Sequence, residues 1–167
     1  VDLGAEMEAA FKLPATVDNI ANAAVVGELM LGVGVRFSSF AYVNFAFGFG
    51  GGVVIDGKPW RGVHGNAGEF ASVLKEVGAF TPTLETLRIR LMDANVEVQS
   101  VRQLIERFDP TWPVLDSWVA DAADSIRLLA KLISATIDVD ALVLGGRLPA
   151  SLAIRLAEAS AISQADL

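Results

Sequence analysis

The sequence predicts an α/β domain whose sheet mixes parallel and antiparallel strands and is flanked by helices. Three observations carry that expectation. Gly48 and Gly50–Gly52 separate two stretches rich in aromatic and β-branched residues, the pattern of a hairpin. Beyond Pro82, apolar residues recur three and four apart over three segments, as amphipathic helices require. Ala141–Leu144 is a short, wholly apolar run between helical stretches, which suits a strand covered on both faces. The order of helices, hairpin, helices, strand and helix gives a layered domain with a mixed sheet.

The elements follow in order. Leu3 to Leu13 places Leu3, Met7, Ala10 and Phe11 at helical spacing, and Pro14 stops the helix. Thr16–Asn19 is extended and leads into a buried helix from Ala21 to Leu31, closed by Gly32 and Gly34, so that a strand-to-helix junction falls at Asn19. Phe37–Phe47 and Val53–Ile55 form the hairpin arms. Asp56-Gly57 is a turn signal, and Lys58–Gly62 begins a third antiparallel strand with Phe70–Leu74 as its best apolar segment. Leu84–Met92, Val98–Phe108 and Trp112–Ile137 read as helices, the last carrying a stripe of Trp118, Ala122, Ile126, Leu129 and Ile133. The strand Ala141–Leu144 ends at Gly145-Gly146, and Pro149 opens an amphipathic helix with Leu152, Ile154 and Leu156.

Composition bounds the function. A length of 167 residues suits one domain, and 53% hydrophobic against 20% charged residues supplies a core. A net charge of -7 argues against this surface neutralising nucleic-acid phosphates. The absence of cysteine excludes disulfides, thiolate nucleophiles and Cys-rich zinc sites, and fits a reducing compartment, the cytoplasm. No uncharged apolar run approaches the ~20 residues that span a bilayer, so no membrane partner is expected.

Four segments have the residue types for chemistry. Phe47–Gly52 could bring backbone amides close to a phosphate, but it lacks the terminal Gly-Lys-Ser/Thr of the phosphate loop; a ligand-free hairpin bend explains it equally. In Val17–Ala24, Asn19 and Asn22 can each donate to and accept from a sugar hydroxyl, while Asn19 is also a natural helix cap. In Gly62–Phe70, Glu69 stands among small residues, where a carboxylate can bind paired hydroxyls. The single histidine, His64, reads as a surface or structural residue, and one histidine without cysteine leaves no basis for a transition-metal site. Asp138-Val139-Asp140 reads as a solvated turn before the last strand, and Gly145-Gly146 either admits a nucleotide or ends the strand.

Taken together and in this order, these segments resemble the second half of proteins of the repressor, open-reading-frame, kinase (ROK) family. Family members read Glu-Asn-Asp-Ala-Asn-Ala-Ala, then Gly-Thr-Gly-Ile-Gly-x-Gly-Ile-Val, then Gly-x-x-Gly-x-Ala-Gly-Glu-Ile-Gly-His, then a cysteine cluster closing in Leu-Glu, then Val-Leu-Gly-Gly. The corresponding stretches are Asp18–Ala24, Ala46–Val54, Gly62–Ser72, Thr83–Glu85 and Leu142–Gly146.

The resemblance implies an actin/hexokinase-like (ribonuclease H-like) C-terminal lobe. It implies that residues 1–167 form a single domain of a longer parent, with the N-terminal lobe and any helix-turn-helix outside it. It further implies that Asn19, Glu69 and Glu85 hydrogen-bond a sugar. The departures remove catalysis: Ile20 stands where family kinases carry the Asp base, Ala46-Phe47 replaces the Gly-Thr of the phosphate loop, and Ser72 replaces the zinc-binding His. Without that metal the segment Leu74–Thr83 is expected to be mobile. The expected role is therefore the sugar-binding, dimerising part of a ROK-type transcriptional regulator, with no catalytic residue, cofactor or metal of its own. DNA would be reached only through the missing N-terminal domain, and a homo-oligomer is expected. The alternatives are an ATP-dependent sugar kinase with an unusual base, and a purely structural domain.

Overall fold

The computed structural model describes residues 1–161. The first helix, α1 (Leu3–Phe11), is capped by Asp2, whose carboxylate accepts from the Ala5 amide at 3.1 Å; it ends at Lys12 in the left-handed region, just ahead of Pro14. No residue of α1 is buried. The extended Thr16–Asn19 segment pairs with no strand among the described residues, so the junction at Asn19 runs from coil, not strand, into α2 (Ile20–Leu31). The expectation of a buried α2 also needs correction: Ala21 and Val25 are buried, whereas Ile20, Met30 and Leu31 are exposed. The helix packs one face on the sheet, and among the described residues nothing covers the other.

The sheet contains β1 (Phe40–Phe45), β2 (Phe49–Ile55), β3 (Lys58–Trp60) and β4 (Ala141–Gly146) in the order β3-β2-β1-β4. The arms β1 and β2 are antiparallel, with Phe40 opposite Val54 and Phe45 opposite Phe49, and the Asp56-Gly57 turn leads into β3. On its other side β1 pairs in parallel with β4, Phe40 opposite Ala141, so the sheet is mixed as expected. All six β1 residues are buried. Strict alternation sends Ala41, Val43 and Phe45 into the main core, and Phe40 and Tyr42 into a smaller cluster with Val25 of α2.

Phe70–Leu74 is not the apolar part of a third strand. It lies in helix α3 (Phe70–Glu76), because Phe70 and Leu74, four residues apart, bury the same helical face. Helix α4 (Leu84–Asp93) opens with a reciprocal capping box between Thr83 and Thr86. Helix α5 (Val101–Glu106) is shorter than predicted, since the Ser100 hydroxyl accepts from the Gln103 amide at 3.1 Å and starts the helix there. Helix α6 (Leu115–Thr136) begins after Pro113 rather than at Trp112, whose ring instead packs edge-on against Phe108. Its predicted stripe is buried throughout. In α7 (Ala150–Ala159) Leu152 and Leu156 are buried, but Ile154, two residues from each, lies on the opposite side and is exposed. Among the described residues, no helix is long and apolar enough to cross a membrane.

Candidate functional site

Strand β2 is the spine on which the motif segments assemble. Its Gly52 receives Val25 of α2: a Cβ there would lie 2.5 Å from the Val25 Cγ2. On the opposite face, a Cβ on Gly51 would lie 2.4 Å from the Phe70 ring, and one on Gly68 would lie 2.4 Å from the Gly51 carbonyl oxygen. The glycine run therefore lets a helix and a loop approach the strand from both sides, which is a packing reason for those residues.

Asn19 is the N-cap of α2, its Oδ1 accepting from the Ala21 amide at 2.8 Å. That leaves its NH2 group as a free pair of donors. Asp18 accepts from the Asn19 amide at 2.8 Å and from the Asn22 amide nitrogen at 3.1 Å, so Asn22 is turned toward Asp18. Asp18 is also ion-paired with Arg61, at the end of β3. The Asn22 amide above all, then the Asn19 N–H and the Arg61 guanidinium, hold the Asp18 carboxyl below the usual aspartate range despite the opposing desolvation.

Glu69 is exposed at the start of α3, and among the described residues its carboxylate makes no hydrogen bond or ion pair. The loop carrying it is held by the Ala67 amide donating to the Arg61 carbonyl (3.2 Å) and the Glu69 amide donating to the Asn66 carbonyl (3.2 Å). Glu85 lies in the first turn of α4, partly buried and gripped in bidentate fashion by Arg88 at 2.6 and 2.8 Å, which lowers its pKa. The α4 start is anchored to the hairpin turn by the Leu84 amide, which donates to the Ala46 carbonyl at 2.9 Å. The structure thus joins the Asn19 and Glu69 segments through Arg61, while Glu85 enters separately through the hairpin end.

Ile20 is the first residue of α2, with 71% of its surface exposed. Phe47 protrudes from the β1–β2 turn, and His64 and Ser72 are exposed. The Leu74–Thr83 segment is tied down at two points: the Ala79 amide donates to the Leu74 carbonyl (2.8 Å) and the buried Ser125 hydroxyl to the Phe80 carbonyl (2.6 Å). Gly145 and Gly146 close β4 against Tyr42 and Asn44; a Cβ at Gly145 would meet the Tyr42 ring at 2.5 Å. Asp140 lies at the other end of β4, hydrogen-bonded to Ser39, in the turn the sequence suggested. Among the described residues no group of three or more His, Cys, Asp or Glu side chains comes together. A cavity of about 350 Å³ lies elsewhere, between α6, β4 and α7, lined by Ile133, Val139, Leu142 and Ala157.

Sequence reasoning missed Arg61. The only available signal was a basic residue directly before the Gly62 loop, and its partner stands 43 positions earlier.

Residues 1–76 match the model of the ROK family. That part of the chain belongs to the ROK family. Among solved ROK structures, the hexokinase from Thermus thermophilus superposes with a TM-score of 0.64 at 27% identity, covering 94% of this chain and 58% of that one. The chain is also 39% identical over 69 residues to the xylose repressor of Caldicellulosiruptor bescii, covering 41% of this chain and 17% of the repressor. A third relative, the uncharacterized protein y4fQ of Sinorhizobium fredii, is 31% identical over 150 residues, covering 89% of this chain and 38% of its own length. The chain thus spans well under half of that relative, and its ROK relatives include both kinases and regulators. The fold is the actin/hexokinase-like one of these neighbours.

Proposed function

We propose that this chain is the sugar-sensing part of a ROK-type transcriptional regulator, a single C-terminal-lobe domain of a longer protein that binds a sugar without phosphorylating it. Ile20 carries the reading. A general base must accept the proton of the attacking hydroxyl, and a hydrocarbon branch has no lone pair to do so. The nearest carboxylate in sequence, Asp18, is a poor substitute: Asn22, the Asn19 amide and Arg61 already occupy it and stabilise its charged form. Recognition does not need that proton transfer. The Asn19 NH2 can donate, and the Glu69 and Glu85 carboxylates can accept from paired hydroxyls, each charged hydrogen bond contributing about 1.5–3 kcal/mol. Arg88 holds Glu85 ionised and in one orientation, with acceptor positions left over.

In this reading the longer protein is cytoplasmic and dimeric, and touches DNA through its N-terminal part. Calorimetry of that protein against glucose, xylose and N-acetylglucosamine, beside a coupled assay for ATP turnover, tests it. Heat with at least one sugar and no turnover is expected; robust turnover by the unmodified protein overturns it. A kinase reading draws on the likeness to the Thermus hexokinase across 94% of the chain. It requires a base from outside the Asp18–Ala24 segment, and Ile20→Asp would then leave the rate unchanged.

A further inference from the structure

We propose that Arg61 is a positioning residue of the candidate sugar site, tying the first turn of α2 to the Gly62–Glu69 loop so that Asn19 and Glu69 move as one unit. The choice of sugar as ligand rests on the proposed function; the mechanical tie does not. A continuous path of bonds carries it. The Arg61 side chain grips Asp18 with both terminal nitrogens. Asp18 in turn accepts from the Asn19 amide and from Asn22, fixing the residue that caps α2. The Arg61 carbonyl accepts from Ala67, and Asn66 accepts from the Glu69 amide. A single residue therefore faces one motif with its side chain and the other with its backbone.

The glycine packing explains why such a tie is needed. The helix approaches β2 on one face, at Gly52, and the loop on the other, at Gly51. The strand separates them, and the Arg61–Asp18 pair, just beyond the end of the edge strand β3, joins them past the side of the sheet. The planar guanidinium suits this task because it makes two parallel bonds to one carboxylate, which fixes direction as well as distance; an ammonium cannot. Arg61 is 58% exposed and Asp18 24%, so the pair adds little to global stability, and its effect is local order.

Amide hydrogen exchange on the full chain tests the tie with four variants: Arg61→Met, Arg61→Lys, Asp18→Asn, and Asp18→Asn combined with Arg61→Met. Arg61→Met should accelerate exchange about three-fold both at Ala21–Ala23 and at Ala67–Glu69, with the α6 core amides unchanged. Arg61→Lys should fall between wild type and Arg61→Met, and the double variant should exchange no faster than the faster single one. Acceleration confined to one segment, or additive effects in the double variant, overturns the proposal.

Calorimetry of the longer protein with glucose, xylose and N-acetylglucosamine supplies the second readout: where the wild type binds, Arg61→Met should weaken affinity by a similar factor with the transition temperature held, and unchanged affinity overturns the proposal. A longer wild-type protein that takes up none of glucose, xylose and N-acetylglucosamine sinks the sensing reading instead, and the exchange data still decide on Arg61.

Discussion

At the scale of single residues, Asn19 has two duties that substitution can separate. Its oxygen caps α2 and its nitrogen is free for a ligand. Asn19→Ser keeps a capping oxygen and should leave the denaturation midpoint near wild type, whereas Asn19→Ala should cost about 1 kcal/mol in a urea titration. Both should abolish the sugar heat if the amide nitrogen is a contact. Gly51→Ala is a test of packing: its methyl would meet both the Phe70 ring and the Tyr42 carbonyl, for an expected loss of about 1–3 kcal/mol by the same titration. Asp18 sets a pH dependence. Its pKa is depressed in the folded state, so its contribution is present above the unfolded-state value and is lost progressively as pH falls from there through the lower folded value. A carboxyl NMR titration should place its midpoint below that of free aspartate. Arg61→Met should return it only part-way, because the Asn22 amide is the larger cause.

At the scale of elements, α4 and α6 depend on one hydroxyl. Thr86 completes the capping box of α4, and its Oγ1 accepts from the indole nitrogen of the fully buried Trp118 at 3.1 Å. Thr86→Val keeps the shape, removes half of the box and strands the indole N–H, so a loss of about 2 kcal/mol in denaturant unfolding is expected. These elements were legible in the sequence to different degrees. The α6 stripe follows from a period of 3.6 and the hairpin from two aromatic and β-branched stretches around a glycine cluster, and the structure has both. The helical nature of Phe70–Leu74 was hidden because a short apolar run fits a buried strand equally well; the Phe70–Leu74 pairing across one turn decides it only once β2 is in place. The exposure of α2 was hidden too, since its composition is that of a core helix and what covers it is not encoded locally. In the site, the place of Asn19 as the cap of α2 could be read from the sequence, whereas Glu69 heads a helix where the sequence suggested a strand, and Glu85 entered only through the family resemblance, its i,i+3 partner Arg88 only through the structure. The Arg61–Asp18 pair could not, because a contact between residues 43 apart exists only after the sheet has formed.

At the scale of the whole molecule, order is unevenly distributed. Helix α1 buries none of its residues, while β1 is buried from end to end. Hydrogen exchange should therefore find α1 amides opening almost freely and β1 amides only on global unfolding, and removal of residues 1–13 should move the transition temperature by less than about 2 °C in a calorimetric scan. The parallel partner of β1 arrives late in the chain: Ser39 is bonded to Asp140, 101 positions away. During synthesis, then, the hairpin waits with a bare hydrogen-bonding border along Phe40–Phe45 until Ala141–Gly146 emerges. A ribosome that stalls before that point releases a sticky, half-paired ribbon, and products truncated ahead of Ala141 are bound for inclusion bodies.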